Sequence, residues 1–312
     1  MSDNSSATAL AAPALSLSRA GLWWGLLGVA AFSCTVPFTR VAVGSGGISP
    51  LFVGSGRAVI AAALAAAALV LTRQRLPHGV QWARLGVVAG GIVVGFPFLT
   101  SYALTTAPAS HSAVVIAILP AATAAVAALR GQERPSAFFW GMAVVGAAVA
   151  IVFAALSGGG FTGLHWSDLM LFGAVIAAAI GYAEGGLLAR ELGAWQTISW
   201  ALVMSAPAMV PVLGVSMAQS PPSGTPVEWA AFGYLAVVSM YLGFFAWYRG
   251  LAIGPIAQVS QVQLVQPVLS VCLAAVLLHE RLTWVTVVGG FAVLVCAAVT
   301  VRTRLRFVAN PR

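Results

Sequence analysis

The sequence predicts an all-α integral membrane protein: ten transmembrane helices arranged as two inverted-topology five-helix repeats. Three observations predict it. The first is composition, with 60% hydrophobic and 7% charged residues and a mean hydropathy of +0.97. A soluble domain carries about 25% charged residues. The second is ten apolar runs, each near the 20 or so residues that cross a hydrocarbon core. The third is an internal register. A shift of 147 residues carries Pro108 onto Pro255, Pro120 onto Pro267, Glu133 onto Glu280 and Arg134 onto Arg281. The same shift pairs Trp82 with Trp229, Gly86 with Gly233, Phe98 with Phe245 and Leu104 with Leu251.

Residues 1–20 are rich in Ser and Ala and read as a mobile cytoplasmic tail. The spans follow at about 21–43, 49–72, 80–105, 110–130 and 136–157, then 167–190, 195–218, 226–251, 255–279 and 283–303. The first run is too long for a signal h-region and is followed by further spans. Turn residues mark the joints at 44–50, 77–79, 157–160 and 220–226. The first repeat covers 21–157, the second 167–303, and 304–312 forms a second cytoplasmic tail.

All fifteen basic residues are Arg. They stand singly or in pairs at the ends of apolar runs, as topology signals do, and not as a phosphate-binding face. With the N-terminus inside, twelve fall on the cytoplasmic side, and Arg281 alone lies in the loops opposite. Both termini are therefore expected in the cytoplasm, and the chain in the cytoplasmic (inner) membrane. Five spans per repeat is odd, so the second repeat enters the membrane upside down, the arrangement of secondary transporters with a site between the halves. Cys34, Cys272 and Cys296 lie in apolar runs without metal spacing and read as small hydrophobes.

The segments 107–120 (APASHSAVVIAILP), 131–136 (GQERPS), 254–267 (GPIAQVSQVQLVQP) and 279–283 (HERLT) carry a family pattern, as does SPLFVGSGRAVIAA with Arg57. Two five-helix units, each with a proline-broken fourth helix ending in Glu-Arg, resemble the drug/metabolite transporter superfamily, and within it the EamA-type ten-helix exporters. The resemblance implies export of amino acids, other metabolites or drugs, with the amino-acid exporters as the nearest functional analogy.

Several residues are candidates for solute contact. Pro120 and Pro267 each remove a mid-span hydrogen bond, tolerated where protein or a water-filled cavity re-satisfies the freed carbonyl, and are expected hinges. Gln258, Gln261 and Gln266 crowd the ninth span and are expected to line the solute path, since amides are costly against lipid. His111 is the equivalent of Gln258, with binding and helix capping equally open. Tyr102, Tyr241 and Tyr248 carry hydroxyls that need partners in an apolar setting. Glu184 is the most deeply placed acid and a candidate proton-coupling group. The alternative is a structural pair with Arg190 on the same helix, although six residues is not the spacing of facing side chains. Arg40 is expected to snorkel to headgroups. Arg57 is open between snorkelling and attracting a carboxylate. The Glu133–Arg134 and Glu280–Arg281 pairs are expected to fix helix ends. Gly86, Gly90, Gly91 and Gly95 make small-xxx-small packing steps.

An enzyme is disfavoured, since no HExxH or GxSxG motif is present and Asp168 and Glu184 would stand about 24 Å apart on one helix. No cofactor and no metal is expected. No cation is expected near the midplane, so a neutral or zwitterionic small molecule fits better than a phosphate ester. The sequence thus predicts a secondary transporter exporting such metabolites, amino acids first, by alternating access. The alternatives are a multidrug or other metabolite exporter of the same fold, or, from another class, a channel or scaffold protein. The expected partners are the solute and the lipid bilayer, without nucleic acid, and with monomer and homodimer both open.

Overall fold

The computed structural model describes residues 19–130, 136–157, 165–253 and 262–309, and all regular structure among them is helical. Among the described residues, eight helices are long and apolar enough to cross a membrane. They are span 1 (Ala20–Gly44), span 2 (Pro50–Leu71), span 3 (Val80–Ala103), span 4 (Ala109–Arg130), span 5 (Ala137–Leu156), span 6 (Trp166–Leu192), span 7 (Ala194–Gln219) and span 8 (Pro226–Ile253). Two shorter apolar helices complete the set, span 9 (Gln263–Leu277) and span 10 (Trp284–Thr300). The start of the expected ninth span, residues 255–261 with Pro255, Gln258 and Gln261, lies outside the described residues, as does the Glu133–Arg134 pair.

The helix starts carry the local chemistry that the backbone requires. Span 2 opens with Ser49, whose hydroxyl accepts from the Phe52 N–H at 3.1 Å, and with Pro50 where no donor is needed. Span 8 opens with a reciprocal box: the Thr225 N–H donates to Glu228 at 2.6 Å, and the Glu228 N–H to the Thr225 hydroxyl at 3.4 Å. At the start of span 6 the Asp168 carboxylate accepts the His165 N–H at 2.9 Å. Gly193, at φ 98°, turns the chain from span 6 into span 7.

The breaks inside spans obey the internal register. Span 4 is interrupted at 117–118 and resumes as Leu119–Arg130; span 9 passes through a 3-10 turn at Gln263–Val265 and resumes as Gln266–Leu277. Leu119 and Gln266 are 147 residues apart, and each precedes its proline. Spans 3 and 8 carry a second matched irregularity. Each contains a π-helical stretch, Ala89–Gly95 and Leu235–Leu242. The Phe96 N–H bonds to the Gly91 carbonyl and the Gly243 N–H to the Val238 carbonyl, both five residues back and both in the same register. Span 1 breaks at Cys34, because Pro37 cannot donate to the Ser33 carbonyl. The Ser270 hydroxyl of span 9 donates to that carbonyl instead, at 2.9 Å.

Packing follows an approximate two-fold axis. Span 2 packs on span 7, span 4 on span 9 and span 5 on span 10, each on its own equivalent. Span 1 packs on span 8, and span 3 on span 6, which exchange under the same operation. Glycine makes both exchanged contacts close. A Cβ on Gly250 would stand 2.8 Å from the Gly25 nitrogen, and one on Gly91 2.3 Å from the Ala177 oxygen. Of the span 3 glycines, Gly91 and Gly95 meet span 6, whereas a Cβ on Gly90 would meet nothing within 4 Å. Large apolar side chains such as Leu71, Ile176, Trp284 and Phe291 are exposed on the periphery, as a lipid-facing surface requires.

Candidate functional site

The site is built where the breaks converge. Pro120 and Pro267 line one narrow cleft of about 10 Å³, together with Gln263, Gln266 and Ser270. The interrupted helices 4 and 9 therefore face each other at their weak points.

Beside this cleft lies a central cavity of about 20 Å³, room for about one water. Spans 1, 2, 3, 6, 8 and 9 all contribute to it. Two pairs of its lining residues are equivalents in the internal register: Thr35 with Tyr182, and Ile92 with Ser239. The cavity thus straddles the pseudo-two-fold axis. Ile92 and Ser239 come from the two π-helical stretches, which therefore meet at this cavity. The Thr35 and Ser239 hydroxyls share a hydrogen bond of 2.8 Å across spans 1 and 8. Phe32, Phe96 and Phe244 supply apolar walls.

Arg57 departs from the expectation that no cation lies deep in the protein. It is 2% exposed, lines the central cavity, and its Nε and Nη1 have no hydrogen-bond partner. Its equivalent in the second repeat is Met204, so the charge breaks the symmetry of the cavity. Arg40 is also corrected: it does not snorkel but donates to the Leu104 and Thr105 carbonyls, at 2.8 and 2.6 Å, closing the end of span 3.

The other sequence candidates fall into distinct places. Gln266 lines both the cleft and the central cavity, with its Oε1 buried and without a partner. Tyr248 is fully buried but lies outside the cavity lining; its hydroxyl is 3.4 Å from the Gly181 carbonyl and joins spans 8 and 6. Tyr241 joins span 8 to span 7 through Ser199 at 3.1 Å. Tyr102 is 41% exposed and faces outward. Tyr182, Thr35 and Ser239 were not singled out from sequence, although the register pairing of Tyr182 with Thr35 was available as a signal.

Ion pairs join spans 3, 4 and 6 toward the end of the bundle where span 1 begins and span 10 finishes. Glu184 is buried, and its two oxygens are divided between spans. Oε1 pairs with Arg84 of span 3, and Oε2 accepts from Arg130 Nε of span 4 at 2.8 Å. Arg84 also pairs with Glu191. The expected alternatives for Glu184, an unpaired acid or a partner of Arg190, both give way to this three-span cluster. Its partners come from other helices, which spacing along one helix could not reveal.

At the opposite end a cavity of about 530 Å³ is bordered by His111, His165, Asp168, Glu280 and Arg281. His111 Nε2 lies 2.7 Å from Asp168 Oδ1, linking spans 4 and 6, and its ring stacks on Phe153. The Glu280 carboxylate accepts the Ala109 and Ser110 N–H groups at 2.7 and 2.8 Å. The acid of the second Glu-Arg motif thus caps the broken helix of the first repeat, where the helix dipole favours an anion.

Comparison with known proteins agrees with this architecture. The EamA-like transporter family matches residues 19–156 and again 165–302. The chain is 42% identical over 282 residues to the "Uncharacterized transporter YdeK" of Bacillus subtilis (strain 168), covering 88% of this chain and 94% of that one. A crystal structure at 20% identity superposes with a TM-score of 0.62, over 92% of this chain and 98% of its own, and supports the fold. With the family pattern present once in each repeat, this chain belongs to the EamA-like transporter family and is a multi-pass membrane transporter of the drug/metabolite type.

Proposed function

We propose that the protein is a secondary transporter exporting small neutral or zwitterionic metabolites, amino acids foremost, across the cytoplasmic membrane by alternating access. The observation that carries this reading is the central cavity on the axis relating the repeats, lined by polar groups and aromatic walls from both. Inverted repeats place binding sites at such an interface, and rocking of one repeat against the other exposes the site to each side in turn. Both termini lie in the cytoplasm, as the arginine distribution supports. Pro120 and Pro267 act as hinges, supported by the shared cleft in which the two interrupted helices meet.

A cavity with room for about one water must widen to admit a solute. The matched breaks in spans 4 and 9 and the π-helical stretches in spans 3 and 8 are where the backbone yields most easily. The test is flux into liposomes containing the purified protein. Saturable amino-acid uptake that is accelerated by the same solute on the other side is expected. Saturable flux of cationic drugs alone would favour the multidrug reading, ion current a channel, and no flux a scaffold.

A further inference from the structure

We infer that Arg57 is the anchor for a solute carboxylate, so that the substrates are carboxylate-bearing molecules and not cations. The inference rests on the exporter reading above and deepens it.

The argument begins with charge balance. A guanidinium is always ionised, and burying it without a counter-charge is costly. Arg57 is fully buried, its Nε and Nη1 are unpartnered, and it opens on the central cavity. Among the described residues, each of the five carboxylates is engaged elsewhere. Asp168 holds His111, Glu184 holds Arg84 and Arg130, Glu191 holds Arg84, Glu228 caps span 8, and Glu280 caps span 4. The sites for Arg57's counter-charge within these groups are therefore filled, and the cavity is where a ligand can supply it.

The chemistry of the partner follows. A planar guanidinium fork matches a carboxylate or a phosphate in bidentate geometry. A phosphate ester carries about two charges and wants further cations; Arg57 is the one cationic residue in this lining. A single carboxylate fits. Gln266 Oε1, buried and unpartnered in the same lining, is an acceptor for an ammonium group. Phe32, Phe96, Phe244 and Met240 would surround an apolar body.

The experiment uses the full-length protein in liposomes and a panel in matched forms: the common amino acids, their carboxamides, the corresponding 2-oxo acids and quaternary ammonium dyes. Amino acids are expected to be carried and to compete with one another, while carboxamides and dyes do neither. Loss of the amino group should weaken transport less than loss of the carboxylate. Arg57→Gln is expected to lower amino-acid flux at least tenfold, with Arg57→Lys retaining part of it. Carboxamides or dyes carried as fast as amino acids, or Arg57→Gln transporting at the wild-type rate, would overturn the inference and leave the exporter reading standing. Absence of flux for every compound would overturn both. Should Arg57→Gln fail to fold, the wild-type comparison of acids with carboxamides decides alone.

Discussion

At the residue scale, charge placement is the feature with the largest consequences. Glu184 is shared by Arg84 and Arg130, so removing its charge takes a partner from both arginines and leaves Arg84 with Glu191. Glu184 is buried while Arg130 is half exposed, so the loss lies below the roughly 3 kcal/mol of breaking a fully buried pair from one side. Glu184→Gln should therefore lower the unfolding temperature in detergent and the yield, while Arg190→Gln, on an exposed side chain, should change neither. Equal losses in both variants would contradict the pairing. The sequence marked Glu184 as unusual but could not name its partners, since these come from spans 3 and 4. Arg57 shows the same limit. A lone arginine in an apolar helix reads equally as snorkelling or buried until the faces of that helix are known. Tyr102 and Tyr248 had similar claims on the cavity from polarity alone; packing turned one outward and fixed the other between spans 6 and 8.

At the scale of elements, the limits of spans 1 to 8 and the breaks beside Pro120 and Pro267 were legible, because hydropathy and proline act locally; the break at Cys34 was not, and Pro207 and Pro211 lie inside span 7 without interrupting it. The π-helical stretches were not legible either, since a change of hydrogen-bond register leaves no fixed residue signature; Pro97 follows one stretch, while Phe244 stands at the equivalent place in the other. The glycine pattern of span 3 was legible only as a pattern. Gly91→Ala should cost about 2 kcal/mol by forcing span 3 away from the Ala177 carbonyl, whereas Gly90→Ala should be tolerated. Thermal unfolding of the two variants checks this, and equal sensitivity would contradict the close approach. The Glu280 cap gives a parallel expectation. Glu280→Ala should lower stability by about 1 kcal/mol, the scale of a lost helix cap, with Glu280→Gln recovering part of it. If the proposed hinges are correct, Pro120→Ala and Pro267→Ala should restore helical continuity and slow transport while unfolding no earlier than wild type. Faster transport in either variant would argue against a hinge.

At the scale of the whole molecule, the duplication was legible through rare residues in one ungapped register, and the odd number of spans per repeat then implied inversion. The axis itself was not, because it is defined by which spans pack together: 2 on 7, 4 on 9, 5 on 10, with 1–8 and 3–6 exchanged. On that axis sits the small cavity of polar groups and apolar walls, and alternating access requires that both sides reach it in turn. Ser239 lines this cavity from the π-helical stretch of span 8. The most direct test places Ser239→Cys in a protein whose own cysteines, at 34, 272 and 296, are replaced by alanine. Oriented vesicles are then exposed to a membrane-impermeant thiol reagent from one side or the other. Labelling from both sides, slowed in each case by a transported amino acid, is the expected result; labelling from one side only, or from neither, would contradict alternating access through this cavity.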